Sequence, residues 1–188
     1  MSSLKELTWE HHKEAERQGF VKVLLSGKIH PEFYATYLWN QHKKYDLLEA
    51  LASLHGLLDD LPDIKRKSKI EADFLELWKK DNPPVIIPAV NEYIAHMRDI
   101  MDDAEKLTAH LYVMHMGDLS GGQMIAKRIP GSGTMYQFSA DHNELKDAIR
   151  SMTNEDMAEE ARICFGFATK TFQDLMEIEC EHYLEHTD

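Results

Sequence analysis

The chain has 188 residues, 43% hydrophobic and 29% charged, a balance that suits one domain with a real core. Its formal net charge of −12 argues against a general nucleic-acid binder. Neither end carries the apolar core of a signal peptide or a membrane tail, so a cytoplasmic protein with no membrane partner is expected.

Ser3-Leu4-Lys5-Glu6 is a capping-box pattern that opens a helix running to about Gln18, with Gly19 as its stop. His11 and His12 lie inside it, and Glu16 stands one turn beyond His12. Pro31 suits the first turn of a second helix, whose apolar positions Tyr34, Leu38, Tyr45, Leu48 and Ala52 recur at helical spacing until the chain reaches Gly56 to Pro62. A third helix is expected from about Ile64 to Lys79, broken by Asp81-Asn82-Pro83-Pro84, and a fourth from Pro88 to about Met101. A helical run from about Leu107 to Ile129 contains Gly117-Asp118-Leu119-Ser120-Gly121-Gly122-Gln123. Pro130-Gly131-Ser132-Gly133 is a turn, Asp141 with Glu144 caps a short helix, and Thr153 or Asn154 opens a long last one. The fold class is all-α: a single domain over 1–188, a bundle of about seven or eight helices.

The glycine-rich stretch organises the rest. Each glycine in a helix costs about 1 kcal/mol relative to alanine. If the helix continues, Gly117 and Gly121 share a face without side chains, on which something flat can touch the backbone, and Asp118 stands at its edge. The plainer reading is that the glycines end one helix and begin another. Metal chemistry has two entries. A di-iron bundle needs two Glu-x-x-His motifs, and only Glu179 to His182 fits. A single axial ligand asks less: Glu16 can accept one ring N–H of His12 and leave the other nitrogen for a metal. Cys164 and Cys180 are sixteen residues apart in one helical run, about 24 Å, too far for a disulfide, and reduced thiols fit the cytoplasm.

Taken together these segments resemble the heme oxygenase family over nearly the whole chain. Residues Lys5 to Glu16 are similar to its proximal helix, with His-x-x-Ala-Glu selecting His12 over His11. Gly117 to Gln123 is similar to its distal-helix signature, Tyr45 falls at a distal-pocket position, and Lys146-x-x-x-Arg150 resembles its propionate-binding pair. The resemblance implies a bundle that sandwiches heme between a proximal and a glycine-kinked distal helix. It implies cleavage of heme at a meso carbon, the alpha one, to biliverdin, carbon monoxide and ferrous iron. Heme is then both substrate and cofactor, with O2 and electrons from an external reductant.

His12 would be the axial ligand with Glu16 behind it; Gly117, Asp118 and Gly121 would serve the reaction. Lys5, Tyr112, Gly122, Lys146, Arg150 and Phe165 would bind heme. Ferredoxin or a similar soluble donor is the expected partner, docking on a basic face built from Lys5, Lys22, Lys127, Arg128, Lys146 and Arg150, with a bilin reductase downstream. Met114 and His115 stand where relatives usually carry Arg and Tyr, which alters the hydrogen bonding expected behind Asp118; His115 could supply a substitute donor, but core packing is the role expected of it. Two other classes compete: a heme carrier or sensor of the same fold that leaves heme intact, and a thiaminase-like hydrolase, which needs a nucleophilic cysteine.

Overall fold

The computed structural model describes residues 2–185, with side chains described up to residue 179. It is helical throughout, with no strand among the described residues: α1 Leu4–Glu16, α2 Gly19–Leu25, α3 Pro31–Leu54, α4 Lys67–Leu77, α5 Pro88–Asp99, α6 Ala104–Leu119, α7 Gly122–Ile125, α8 His142–Ser151 and α9 Ala158–Glu185, with 3-10 turns at Thr134–Tyr136 and Glu155–Met157. The helical bundle foreseen from the sequence is present; the segments beyond the expected seven or eight are the short α2 and α7.

Local chemistry sets most helix ends. The Ser3 hydroxyl accepts from Glu6 N–H, and Glu6 answers by accepting from Ser3 N–H, a complete capping box at α1. Asp141 accepts from two backbone N–H groups at the start of α8. Pro31 and Pro88 occupy first turns, where the missing N–H is no loss. Gly19, expected to stop a helix, is instead the first residue of α2; Arg17 and Gln18 make the corner, and Phe20 and Leu24 bury that short helix. The long helical run expected through Ile129 breaks at Ser120 (φ −111°, ψ −94°), so α6 ends two residues after Gly117 and α7 restarts at Gly122.

Two apolar cores meet across α3. One gathers Phe20, Tyr34, Leu38, Phe74, Val90 and Leu175; the other gathers Leu48, Ile64, Tyr93, Met97, Leu111 and Ile149. A third cluster joins Leu4 of α1 to Ala109 and Val113 of α6 and to Ala161 and Cys164 of α9. Helix α9 packs along both α1 and α6, which puts the two glycine- and histidine-bearing helices on a common support. The second cysteine, Cys180, and His182 of the Glu179–His182 pair in the di-iron reading lie outside the residues whose side chains are described.

Candidate functional site

On α1, the two adjacent histidines have different surroundings. His11 is exposed, whereas His12 is half-buried, its ring 5.4 Å from that of Trp9 and 5.5 Å from that of Phe165 on α9. The His12 Nε2 lies 3.0 Å from Glu16 Oε1, the i to i+4 pairing that leaves the second ring nitrogen for a ligand. Lys5 and Lys13 bracket the exposed face of Trp9 at 5.9 and 5.8 Å.

On α6, the glycines divide by what lies above them. A Cβ built on Gly117 or on Gly121 meets no atom within 4 Å, and both residues are exposed although Asp118 and Leu119 between them are buried. A Cβ on Gly122 would lie 2.7 Å from the Tyr136 ring. Its missing side chain therefore admits Tyr136, and only Gly117 and Gly121 face open space. A flat macrocycle fits such a strip, because nothing but backbone limits its approach.

Asp118 is the charged group of this strip and is 7% exposed. Tyr45, 73 residues earlier on α3, donates its hydroxyl to Asp118 Oδ2 at 2.6 Å. Gln123 locks the same residue by donating to the Asp118 carbonyl at 3.1 Å and to the Tyr136 carbonyl at 2.9 Å. Burial pushes the Asp118 carboxyl up to about 6, against the pull of His115, the Tyr45 hydrogen bond and the Arg66 charge. A carboxyl so placed exchanges its proton near neutral pH, as an acid–base relay must.

Behind it lies a buried network that sequence reasoning missed. His115 Nε2 is 2.9 Å from Glu49 Oε2, and that same carboxylate accepts the backbone N–H of Arg66 at 2.6 Å and of Lys67 at 2.9 Å. Burial raises the Glu49 carboxyl, but His115 and the two backbone donors outweigh it and leave it below its ordinary value. The Arg66 guanidinium, fully buried, donates to the carbonyls of Ile64 (3.1 Å), Met135 (3.0 Å), Gln137 (2.7 Å) and Asp63, and lies 3.8 Å from the Phe138 ring centroid. His115 thus works as a hydrogen-bonding partner rather than as apolar filling, while Met114 offers its sulfur to the Tyr93 hydroxyl at 3.3 Å. Partners 17 to 73 residues apart leave no local pattern to read. A lone Glu49 near the end of α3 and a lone Arg66 at the start of α4 were the only trace.

The remaining candidates fall into two places. Tyr112 on α6 is near enough to Arg150 on α8 for the Arg charge to lower its phenol, against the larger opposite effect of burial. Arg150 itself pairs with Asp147 at 2.9 Å in an exposed ion pair, and Lys146 is half-buried beside it. Cys164 is buried, and that burial pushes its thiol up to about 12, which makes this cysteine unsuited to be the nucleophile a thiaminase-like reading needs. No described helix is long and apolar enough to cross a membrane.

Comparison with known proteins points the same way. The sequence profile of the family described as heme oxygenase matches residues 1–174. The chain is 30% identical to heme oxygenase 1 of Synechocystis, covering 93% of this chain and 83% of that protein. It is 29% identical to heme oxygenase 1 of Nostoc over 89% of this chain and 82% of that one. Among solved structures, the heme oxygenase of Leptospira interrogans superposes with a TM-score of 0.77 at 28% identity, covering 90% of this chain and 96% of that one. Synechocystis heme oxygenase-2, solved with heme and NO, gives a TM-score of 0.83 at 25% identity, over 98% of this chain and 88% of that one.

Proposed function

The chain belongs to the heme oxygenase family, and we propose that it cleaves heme at the alpha-meso carbon to biliverdin, carbon monoxide and ferrous iron. The observation that carries this reading is one helix edge: two exposed glycines with open space above them flank a buried Asp118 whose proton is held near neutrality. Bound heme supplies the iron that activates O2 and the carbon skeleton that is oxidised.

The residues of this chain do the positioning and the proton handling. His12 would hold the heme iron through one ring nitrogen, while Glu16 fixes the ring through the other and Phe165 walls its other side. Gly117 and Gly121, with open space above them, would let a bound macrocycle come against bare backbone. Asp118 holds or accepts a proton at its carboxyl while Tyr45 anchors Oδ2, so the remaining oxygen serves the ordered water that carries protons inward.

Lys5, Tyr112, Lys146 and Arg150 take the carboxylates of the substrate and so choose the edge presented. The Arg150–Asp147 pair gives way readily, since exposed ion pairs contribute only about 0–1 kcal/mol. Electrons come from ferredoxin or a similar acidic donor, and exposed Lys22, Lys127 and Arg128 extend the basic face toward it. A bilin reductase consumes the product in the cytoplasm.

The test is an absorbance titration of wild type and His12→Ala with hemin, followed by reductant and oxygen. The expected result is a Soret complex that depends on His12 and bleaches into a broad red-absorbing bilin band. A Soret complex that survives reductant and oxygen unbleached makes the chain a heme carrier and overturns the oxygenase reading. A His12→Ala variant with an unaltered Soret band moves the ligand elsewhere.

A further inference from the structure

A second constellation of ligand-type side chains lies where helices α5, α6 and α9 converge. His96 comes from the last turn of α5, His110 from the middle of α6 and Glu160 from the first turn of α9. Their ligand atoms all lie within 4.8 Å of one another. His110 Nε2 is 2.8 Å from Glu160 Oε1, and His96 Nε2 is bonded to that same oxygen. No hydrogen bond among the described residues is made to Glu160 Oε2. Two imidazoles compete for one carboxylate oxygen while the other oxygen is left over.

His110 is fully buried, and its second nitrogen, Nδ1, lies 3.1 Å from the Tyr93 hydroxyl. That hydroxyl in turn lies 3.3 Å from Met114 Sδ, to which it can donate. In the tautomer whose Nδ1–H donates to the Tyr93 oxygen, the Nε2 lone pair faces Glu160 and a cation can sit between them; in the other tautomer Nε2–H donates to Glu160. Metal-bound histidines are oriented in this way through their far nitrogen. Phe167 closes one side, its ring centroid 5.4 Å from those of both His96 and Tyr93. The His96 side chain is 23% exposed, which leaves an entry path and a fourth position for water. The opposing charge is Lys44, whose ammonium sits 5.1 Å from the other partner of His110, the Tyr93 ring.

We propose that His96, His110 and Glu160 form a site for a divalent first-row transition-metal cation, of the zinc and ferrous class, separate from His12. Two imidazoles and one carboxylate are a donor set for borderline cations and a poor one for magnesium or calcium, which demand oxygen ligands. Ligand bonds of about 2.0–2.2 Å need neighbouring donor atoms roughly 3.3 Å apart, so Glu160 Oε1, hydrogen-bonded here to both rings, must draw back from His96 as well as from His110. An occupied site would tie three helices together at the amino end of α9.

The test is a titration of the metal-free full chain with Co2+, read by its visible d–d bands, with Zn2+ competition and Mg2+ as control, on wild type, His96→Gln, Glu160→Gln and His12→Ala. His96→Gln changes the most exposed of the three, so its fold is preserved and far-UV circular dichroism verifies this. Expected are one Co2+ of four- or five-coordinate spectrum, displaced by Zn2+ and not by Mg2+, retained in His12→Ala and weakened at least about 100-fold in His96→Gln and Glu160→Gln. Zn2+ should also raise Tm of wild type and leave that of His96→Gln unchanged. A Co2+ spectrum that persists in folded His96→Gln, or that vanishes in His12→Ala, overturns the proposal. So does the absence of any cobalt band in wild type.

Discussion

Replacing Asp118 by Asn should make the protein more stable at neutral pH while it slows the reaction. The carboxyl is buried, and burial raises it from an ordinary value of 3.8 to about 6. The sign follows from linkage. The folded state binds this proton more tightly than the unfolded chain, so stability falls as pH rises from about 4 to about 6 and is level above that. At about 1.36 kcal/mol per unit, ionised Asp118 costs the folded state about 3 kcal/mol at neutral pH. Asn has the same shape and nothing to ionise. Its NH2 requires an acceptor where the carboxylate required a donor, which makes 3 kcal/mol a ceiling. In a chain of this length each kcal/mol moves Tm by roughly 2–4 °C, so a rise of up to about 12 °C is expected at about pH 7.5. The assay is thermal unfolding of the heme-free wild type and Asp118→Asn at several pH values between about 4 and 8. The two curves should converge toward pH 4. A variant that is no more stable at pH 7.5, or a gap that stays constant with pH, would refute the assignment of a buried, costly charge.

Alanine at Gly117, inside α6, should stabilise the heme-free protein by about 0.5–1 kcal/mol through helix propensity, and alanine at Gly117 or Gly121 should weaken hemin affinity at least tenfold. Alanine at Gly122, whose Cβ would press on Tyr136 at 2.7 Å, should instead destabilise the fold; denaturation midpoints and Soret titrations separate the two outcomes. Arg66→Met removes a fully buried guanidinium from four carbonyls and should lower stability by about 3–5 kcal/mol, measured by urea unfolding. A Lys127→Glu, Arg128→Glu double variant should slow ferredoxin-driven turnover and leave hemin affinity alone; unchanged turnover across ionic strengths would remove the docking face.

Legibility tracked sequence distance. The Ser3–Glu6 box, the Asp141 cap and the two proline starts involve residues within one turn, and each stands where the sequence put it. Glycine was ambiguous in both directions. Gly19 opens α2 because Phe20 and Leu24 have a core to enter, a tertiary effect that no local propensity carries. At Gly117 to Gly122 both readings contained part of the outcome: α6 does end there, and the two exposed glycines still leave backbone bare. The spacing within the motif could not tell Gly122 apart from the others, since Tyr136 arrives from a later turn. The support of Asp118 was least legible. Tyr45, Glu49, Arg66 and His115 are ordinary residues on their own helices and become a network only when α3, α4 and α6 are packed.

Helix α4 has no capping side chain of its own; Arg66 stands at its cap, and Glu49 of α3 takes the first free N–H groups instead. Arg66 is therefore gripped from two directions, its backbone by Glu49 and its side chain by the carbonyls of Met135 and Gln137. The connection from α3 to α4 is anchored at its far end by Arg66, while Asp59 and Asp60 in its middle are exposed between buried Leu58 and Leu61. Changes in length at Asp59–Asp60 are expected to disturb the distal helix less than changes beside Arg66. A single-residue insertion between Asp63 and Arg66 would rotate the guanidinium out of its socket, release Glu49, and free His115 from its tether. The chain's tolerance to changes in length thus ends abruptly within this one loop.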